Sequence, residues 1–392
     1  MANNVISFPE RGSAKRRLVP RRLRDARVAA CLNQSELARA VKVTRQALSA
    51  FESGDKSPDF DTLNRIADAL GQPVSYFVAE DRPVFGPPSA MFFRATGPNT
   101  KRRNMACEVL GKWLVQTAKY LDDFVNFPVV KIPEVPPPAS EDGRYDWEEI
   151  EQAAEECRRQ WGLGLGPISN VISLLESNGI IVCRFELEGQ QIEAFSFWSG
   201  SRPFIFLASE KESATRSRFD AAHELGHLIL HRWIDIDELE DPKILKMIER
   251  EADRFASAFL APRKSFPNEV FTTRLDAFVN LKRRWKISIQ AMIYRCKSLG
   301  IFDEDQVTNL YKQISARRWR TIEPLDDPNI LPLEQPKLLR RAIEMIVEAG
   351  KKMADEIATE LQIARRYIEA FCNLPANFLS VGTVREFSPS LK

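Results

Sequence analysis

Thirteen residues, "FDAAHELGHLILH" at 219–231, hold all three histidines of a 392-residue chain. They fall at His223, His227 and His231, a four-residue spacing that stacks them on one side of a helix over successive turns. His223 and His227 can therefore aim ring nitrogens at one ion. Glu224 is turned about 100° from His223, which lets it reach past an ion to a water held there. Zinc lowers the pKa of such a water to about 7, and a neighbouring carboxylate takes its proton as the nucleophile forms. H-E-x-x-H is the spacing this chemistry requires; the competing reading is a set of packed histidines on an apolar helix. His231 sits about 12 Å along the axis from His223, too far to share the ion. The longer three-histidine zinc pattern is also absent. His231 is expected to hold a ligand from behind, face a substrate or serve structure.

The third ligand has to come from another element, and no histidine or cysteine pair remains. The next helix, "MIEREADRFASAFLAP" at 247–262, offers Glu249, Glu251 and Asp253 beside an apolar stripe of Ile248, Ala252, Phe255, Ala256 and Phe259. Helical phase puts Glu249 within about 20° of Ala256, Glu251 on the opposite flank toward water, and Asp253 one turn beyond Glu249. Glu249 is the expected ligand. Asp253 is expected to accept the other ring N–H of a ligand histidine and so fix its tautomer. A salt-bridged surface helix using Arg250 and Arg254 is the alternative.

A chain of this length exceeds one ordinary core, so two or three domains are expected. Hydrophobic residues at 44% and charged residues at 28% are ordinary for a globular protein, and a net charge of +2 excludes a polycation. The charge is uneven: eight basic residues lie between Arg11 and Arg27 against Asp25 alone, which suits either a polyanion or a solubilising arm. The six cysteines are scattered without a C-x-x-C pair, no apolar signal opens the chain, and no run approaches the ~18 apolar residues of a membrane span. A reducing, cytoplasmic setting with free thiols and no membrane partner is the expectation.

The chain reads as α+β and multidomain. A basic arm covers 1–17, an all-α domain 18–80, and a connector 81–143 with one possible strand, "AMFFRA". The connector also carries a long amphipathic helix from Asn104 to Val125 and the linker "PEVPPPASEDG". The region 144–300 opens with helices at Trp147–Trp161 and Pro167–Glu176. Strand-like runs "GIIVCRFEL", "IEAFSFW" and "PFIFLA" follow, the last two joined by a hairpin at "SGSR". Either of those two could offer an edge for an extended substrate. The region 301–392 is mostly helical, a packing or regulatory part, with "RRWRTIEPLDDP" as an exposed connector. Its Ile357, Ala358, Leu361 and Ile368 have the spacing of a degenerate helix-turn-helix. No tandem repeat of fixed period is visible.

In the N-terminal part, Asn33 or Gln34 opens a short helix, residues 41–43 turn, and Thr44 caps a second helix with Leu48 and Phe51 inward. A supporting helix ends at Gly71. This is the arrangement of a helix-turn-helix; a plain helical bundle is the other reading. Arg45, Gln46 and Ser49 point outward and can read base edges or phosphates of double-stranded DNA. Gln34 at a helix start suits a phosphate, and Thr44 borders the same surface. A module this small needs a dimer on paired half-sites, so a homodimer is expected.

The segments "QSELA", "VTRQALSAFESG" and "LNRIADAL" resemble the XRE (Cro/C1-type) helix-turn-helix family, except for Cys31, where a glycine is common. Residues 148–300, with "RFDAAHELGH" and "EREADRFASAFLAP", resemble the ImmA/IrrE zinc metallopeptidases. That resemblance implies a zincin-like domain with a small β-sheet, His223, His227 and Glu249 as Zn2+ ligands and Glu224 as the catalytic residue. Together they imply a DNA-binding regulator with a zinc endopeptidase that cleaves a repressor-like protein or partner on a signal. The alternative is a non-proteolytic or antitoxin-like regulator whose zinc fold senses or docks; a plain repressor with a structural second half is a third reading.

Overall fold

The structure is a computed structural model that describes residues 18–93, 100–140, 143–185, 194–209 and 213–380. The expected basic arm over 1–17 lies outside them. The described residues form two compact units. One comprises 18–85, 100–126 and 339–380; the other comprises 86–93 and 127–338.

The first unit starts with α1 (Pro20–Ala29), α2 (Gln34–Ala40), α3 (Arg45–Ser53), α4 (Phe60–Leu70) and α5 (Val74–Phe77). Side-chain caps set the boundaries. Asn33 accepts the amide of Glu36 while the Glu36 carboxylate accepts that of Asn33, so Asn33 rather than Gln34 opens α2. Thr44 accepts the amide of Ala47, and α4 stops at Gly71 in the left-handed region, φ 59°. Leu23, Leu37, Leu48, Leu63 and Ile66 are buried together in this unit. Cys31 has φ 52°, a left-handed position that explains why glycine suits that site. The long helix α6 runs Thr100–Asp122 rather than 104–125 and buries Ala106, Leu110, Trp113 and Leu121 within this unit. Phe124, inside the expected helix span, lies beyond its observed end and is 37% exposed.

The second unit contains β1 (Phe92–Phe93), α7 (Trp147–Gln160), α8 (Val171–Ser177), β2 (Ile181–Phe185), β3 (Ala194–Ser199), β4 (Arg202–Ala208), α9 (Ala214–Leu230) and α10 (Pro242–Leu260). It continues with α11 (Leu275–Trp285), α12 (Ile289–Ser298) and α13 (Glu304–Ala316). Pro167 does not start a helix; Asn170 does, by accepting the amide of Ser173. The sheet order is β1-β3-β4-β2, with β3 and β4 an antiparallel hairpin and β2 parallel to β4. The strand expectations at 186–187 and 192–193 lie outside the described residues. Side chains alternate across the sheet. Ala194, Trp198, Ile205 and Leu207 belong to the helical core, while Phe195, Phe197, Phe204 and Phe206 stack on one another. Helix α9 lies on this sheet, α10 on α9, and α7 on α10.

The segment 317–328 is not simply an exposed connector. Glu323 and Asp326 are buried and reach Lys282 Nζ at 2.8 and 2.7 Å, itself fully buried in α11. Glu323 also accepts the amides of Ile289 and Gln290 at the start of α12, and Asp326 accepts the Ser213 hydroxyl at the start of α9. Three short helices close the chain: α14 (Leu338–Glu348), α15 (Ala354–Leu361) and α16 (Arg365–Phe371). Among the described residues no helix is long and apolar enough to cross a membrane, and no disulfide joins the cysteines.

Removing the cation from the Lys282 cluster would leave two buried carboxylates facing each other. Lys282→Met is expected to lower the urea unfolding free energy by about 3–5 kcal/mol; an unchanged midpoint would show that the cluster does not hold the connector.

Candidate metal centre and helix-turn-helix

Gly226, the fourth residue of H-E-L-G-H, sets the distance between α9 and α10. A Cβ built there would meet Ala252 Cα at 3.2 Å and the Phe255 ring at 3.2 Å. Glycine opposite alanine therefore lets the two backbones approach closely, and α10 carries Glu249 up to the histidines.

His223, His227 and Glu249 offer ligand-type atoms that all lie within 4.8 Å of one another. The Nε2 atoms of His223 and His227 are 3.0 Å apart. Glu249 oxygens stand 3.5 Å from the first and 3.4 Å from the second. In a tetrahedral site with Zn–N near 2.0–2.1 Å, ligand atoms are separated by about 3.3 Å. The three side chains fit such an ion by donor type and by spacing.

Each imidazole is held from behind. His223 Nδ1 lies 2.8 Å from Asp253 Oδ1. The carboxylate accepts, so the ring proton sits on Nδ1 and the lone pair of Nε2 is left for the site. His227 Nδ1 lies 2.9 Å from His231 Nδ1, and His231 Nε2 lies 3.0 Å from Glu251 Oε2. Glu251 also accepts the Tyr145 amide. Burial and the neighbouring imidazoles keep His231 well below the usual histidine range, hence neutral. Its Nε2–H donates to Glu251, its Nδ1 accepts from His227, and His227 Nε2 is left as a lone pair. This corrects one expectation: Glu251 is not turned to water but is 3% exposed and bonded to His231.

The carboxylates of Asp253 and Glu249 favour positive charge at this point. Burial opposes protonation of His223, but hydrogen bonds to Asp253 and Glu249 outweigh it and lift its pKa to about 10. Burial acts against the charge on Glu249 as well, and the two histidines hold it far below the ordinary carboxylate range. Without a metal, a proton on His223 supplies the cation. Glu224 is 1% exposed, burial raises its pKa to about 8, and its Oε2 makes no hydrogen bond. Its backbone carbonyl accepts the Ser196 hydroxyl, which ties this turn of α9 to β3.

The expectation of a free edge on β3 or β4 does not hold. β4 is paired on both sides. The outer edge of β3 is taken by the chain's own residues: Phe92 pairs with Ser196, Phe93 with Phe195, and Ser89 donates its amide to the Trp198 carbonyl. The sheet's outer strands are β1 and β2, and β1, which covers β3, is only two residues long.

In the first unit, Thr44, Arg45, Gln46 and Ser49 lie on the exposed side of α3. Gln34 is half-buried, and its amide nitrogen donates to Glu52 at 2.9 Å, where Arg27 also binds. Gln34 therefore anchors α2 to α3 as well as bordering the surface.

The fold and sites define a helix-turn-helix unit joined to a unit with a histidine–carboxylate centre. Two family profiles each match part of the chain. The helix-turn-helix profile of XRE type matches residues 23–77, and the IrrE N-terminal-like domain profile matches 175–297. A cryptic phage CTXphi transcriptional repressor, RstR of Vibrio cholerae, is 34% identical over 59 residues, covering 15% of this chain. The chain spans about half of that relative, 53% of its length.

Glu224 supplies a pH test on metal-free protein. Its folded pKa of about 8 exceeds its ordinary 4.5. The folded state therefore keeps a proton that the unfolded state has lost, and stability falls as pH rises between these values. Glu224→Gln should remove that component, so the variant gains on wild type from about pH 4.5 to 8 and keeps a constant lead above. Parallel urea midpoints across this window would contradict the assignment.

Proposed function

We propose that this protein is a transcriptional regulator that binds operator DNA through α3 and carries a zinc-dependent endopeptidase in its second unit. Its substrate is a repressor-like protein or another protein partner, and it acts in the cytoplasm. The observation that carries the enzymatic reading is the joint placement of His223, His227 and Glu249 at tetrahedral spacing beside a buried, unpartnered Glu224 oxygen.

His223 Nε2, His227 Nε2 and a Glu249 oxygen would hold the ion; when bound, it supplies a Lewis acid and an acidified water. Asp253 orients His223, and His231 with Glu251 orients His227. Glu224 is the proton carrier. Beside a bound cation its carboxylate form would be favoured, so it could accept a proton when a nucleophile forms and return it to a leaving amine. Burial of α9 against the sheet excludes bulk water from this exchange.

Arg45, Gln46 and Ser49 are placed to reach base edges or phosphates, with Thr44 and Gln34 bordering the same surface. The likeness of 59 residues to a phage repressor supports this reading. A homodimer would place two such surfaces on paired half-sites.

The enzymatic reading is tested with a quenched-peptide library. Wild type is expected to cleave members of the library. Glu224→Gln should lose at least about 100-fold in rate, the scale of acid–base catalysis, while still taking up zinc. His223→Ala should lose both. No cleavage by zinc-loaded wild type, or regulation unaltered in Glu224→Gln in cells, would favour a regulator whose zinc fold senses or docks; equal cleavage by both proteins would remove Glu224 from the chemistry.

A further inference from the structure

Helices α14–α16 repeat α1–α3 at a constant interval. Glu356, Ala358, Arg365 and Phe371 stand 320 residues after Glu36, Ala38, Arg45 and Phe51. The interior positions correspond at the same interval: Ile343 to Leu23, Ile357 to Leu37, Leu361 to Val41 and Ile368 to Leu48, all buried. The turn is the same. Lys42 has φ 56° and Gln362 φ 58°, each followed by an apolar residue, a cap position and an arginine. The first helix of each turn opens alike, with the Glu36 and Glu356 carboxylates accepting the amides of Asn33 and Met353. Shared spacing, left-handed turn residue and cap together identify one supersecondary unit present twice.

The two copies differ where a helix-turn-helix meets DNA. In the first, Thr44, Arg45, Gln46 and Ser49 are exposed on α3. Their counterparts on α16 are Ala364, Arg365, Arg366 and Glu369. The capping hydroxyl is gone, and the Ala364 amide donates instead to Gln72 Oε1 at 2.9 Å. Arg366 donates to the Leu70 carbonyl and lies over the Tyr367 ring at 4.8 Å. Gly71 leaves room for it, since a Cβ there would fall 2.7 Å from Arg366 Nη2. Glu369 is 8% exposed and accepts the amides of Asn377 and Leu379. An acidic residue at a reading position repels phosphate, and this one is also withdrawn from the surface. Tyr367 packs edge-on against Trp113, which donates to the Tyr76 hydroxyl of α5.

We propose that α14–α16 form a second helix-turn-helix module whose reading edge has become a brace on the first, seated on the corner between α4 and α5. The chain then presents one DNA-reading surface, and α14–α16 hold the supporting helix behind it. The proposal rests on the first module being the reader.

The test uses the full-length protein, a mixed-sequence DNA duplex as probe, and amide hydrogen exchange. Arg366→Ala and, from the other side of the contact, Gln72→Ala should each reduce protection of the Leu70–Gln72 and Ala364–Ile368 amides about tenfold or more. Both should leave the salt dependence of duplex binding unchanged. Arg45→Ala should lower the log–log salt slope by about 1. A similar fall in slope for Arg366→Ala would make the second module a reader and overturn the proposal. Unchanged protection in both brace variants would overturn it too. An Arg45→Ala protein with an unaltered slope would instead refute the reading role of α3, and the exchange data would still decide the brace.

Discussion

The second unit depends on the contact between Gly226 of α9 and Ala252 of α10. Only small residues on both sides let two helices carry their polar faces to within ligand distance of each other. From that approach follow the 3.4 and 3.5 Å separations between Glu249 and the two imidazoles. The same approach seats Glu251 beside His231 and Asp253 beside His223. A Cβ at Gly226 would press on the Ala252 backbone and the Phe255 ring at 3.2 Å, on the helix that carries Glu249.

The cluster that results is costly without a cation. Buried carboxyl and imidazole groups are stable only when paired, and here Glu249 and His223 stabilise each other's charged forms while Glu224 stays protonated. Glu251 and His231 are a further pair behind His227, so each imidazole that faces the site has its other nitrogen committed. With the extra proton on His223 replaced by a metal ion, two ring lone pairs and one carboxylate would converge on one point, the donor set suited to a borderline-soft divalent ion.

Much of this was legible from spacing. The four-residue repeat of histidines and the phase of 247–262 were enough to bring His223, His227 and Glu249 together, and Asp253 behind His223. Helical phase within α10 alone turns Glu251 toward water, whereas it is buried against His231. The flank opposite Glu249 is covered by His231 and by the chain at Tyr145, which no local pattern predicts. The edge of β3 was misread for a similar reason: the strand that covers it is two residues long and lies a hundred residues upstream. In the N-terminal unit the caps at Asn33, Thr44 and Gly71 follow from residue type. The repeat at 338–371 is faint in sequence because its reading positions have changed character while its interior and its turn have not.

The proposed enzyme depends on zinc held by Glu249 as well as by the two histidines. The direct measurement is zinc per chain, by elemental mass spectrometry, in full-length protein purified without chelators, beside Glu249→Gln. About one zinc in wild type and a large loss in the variant are predicted. Wild type without metal, and with none taken up on titration, would contradict the account.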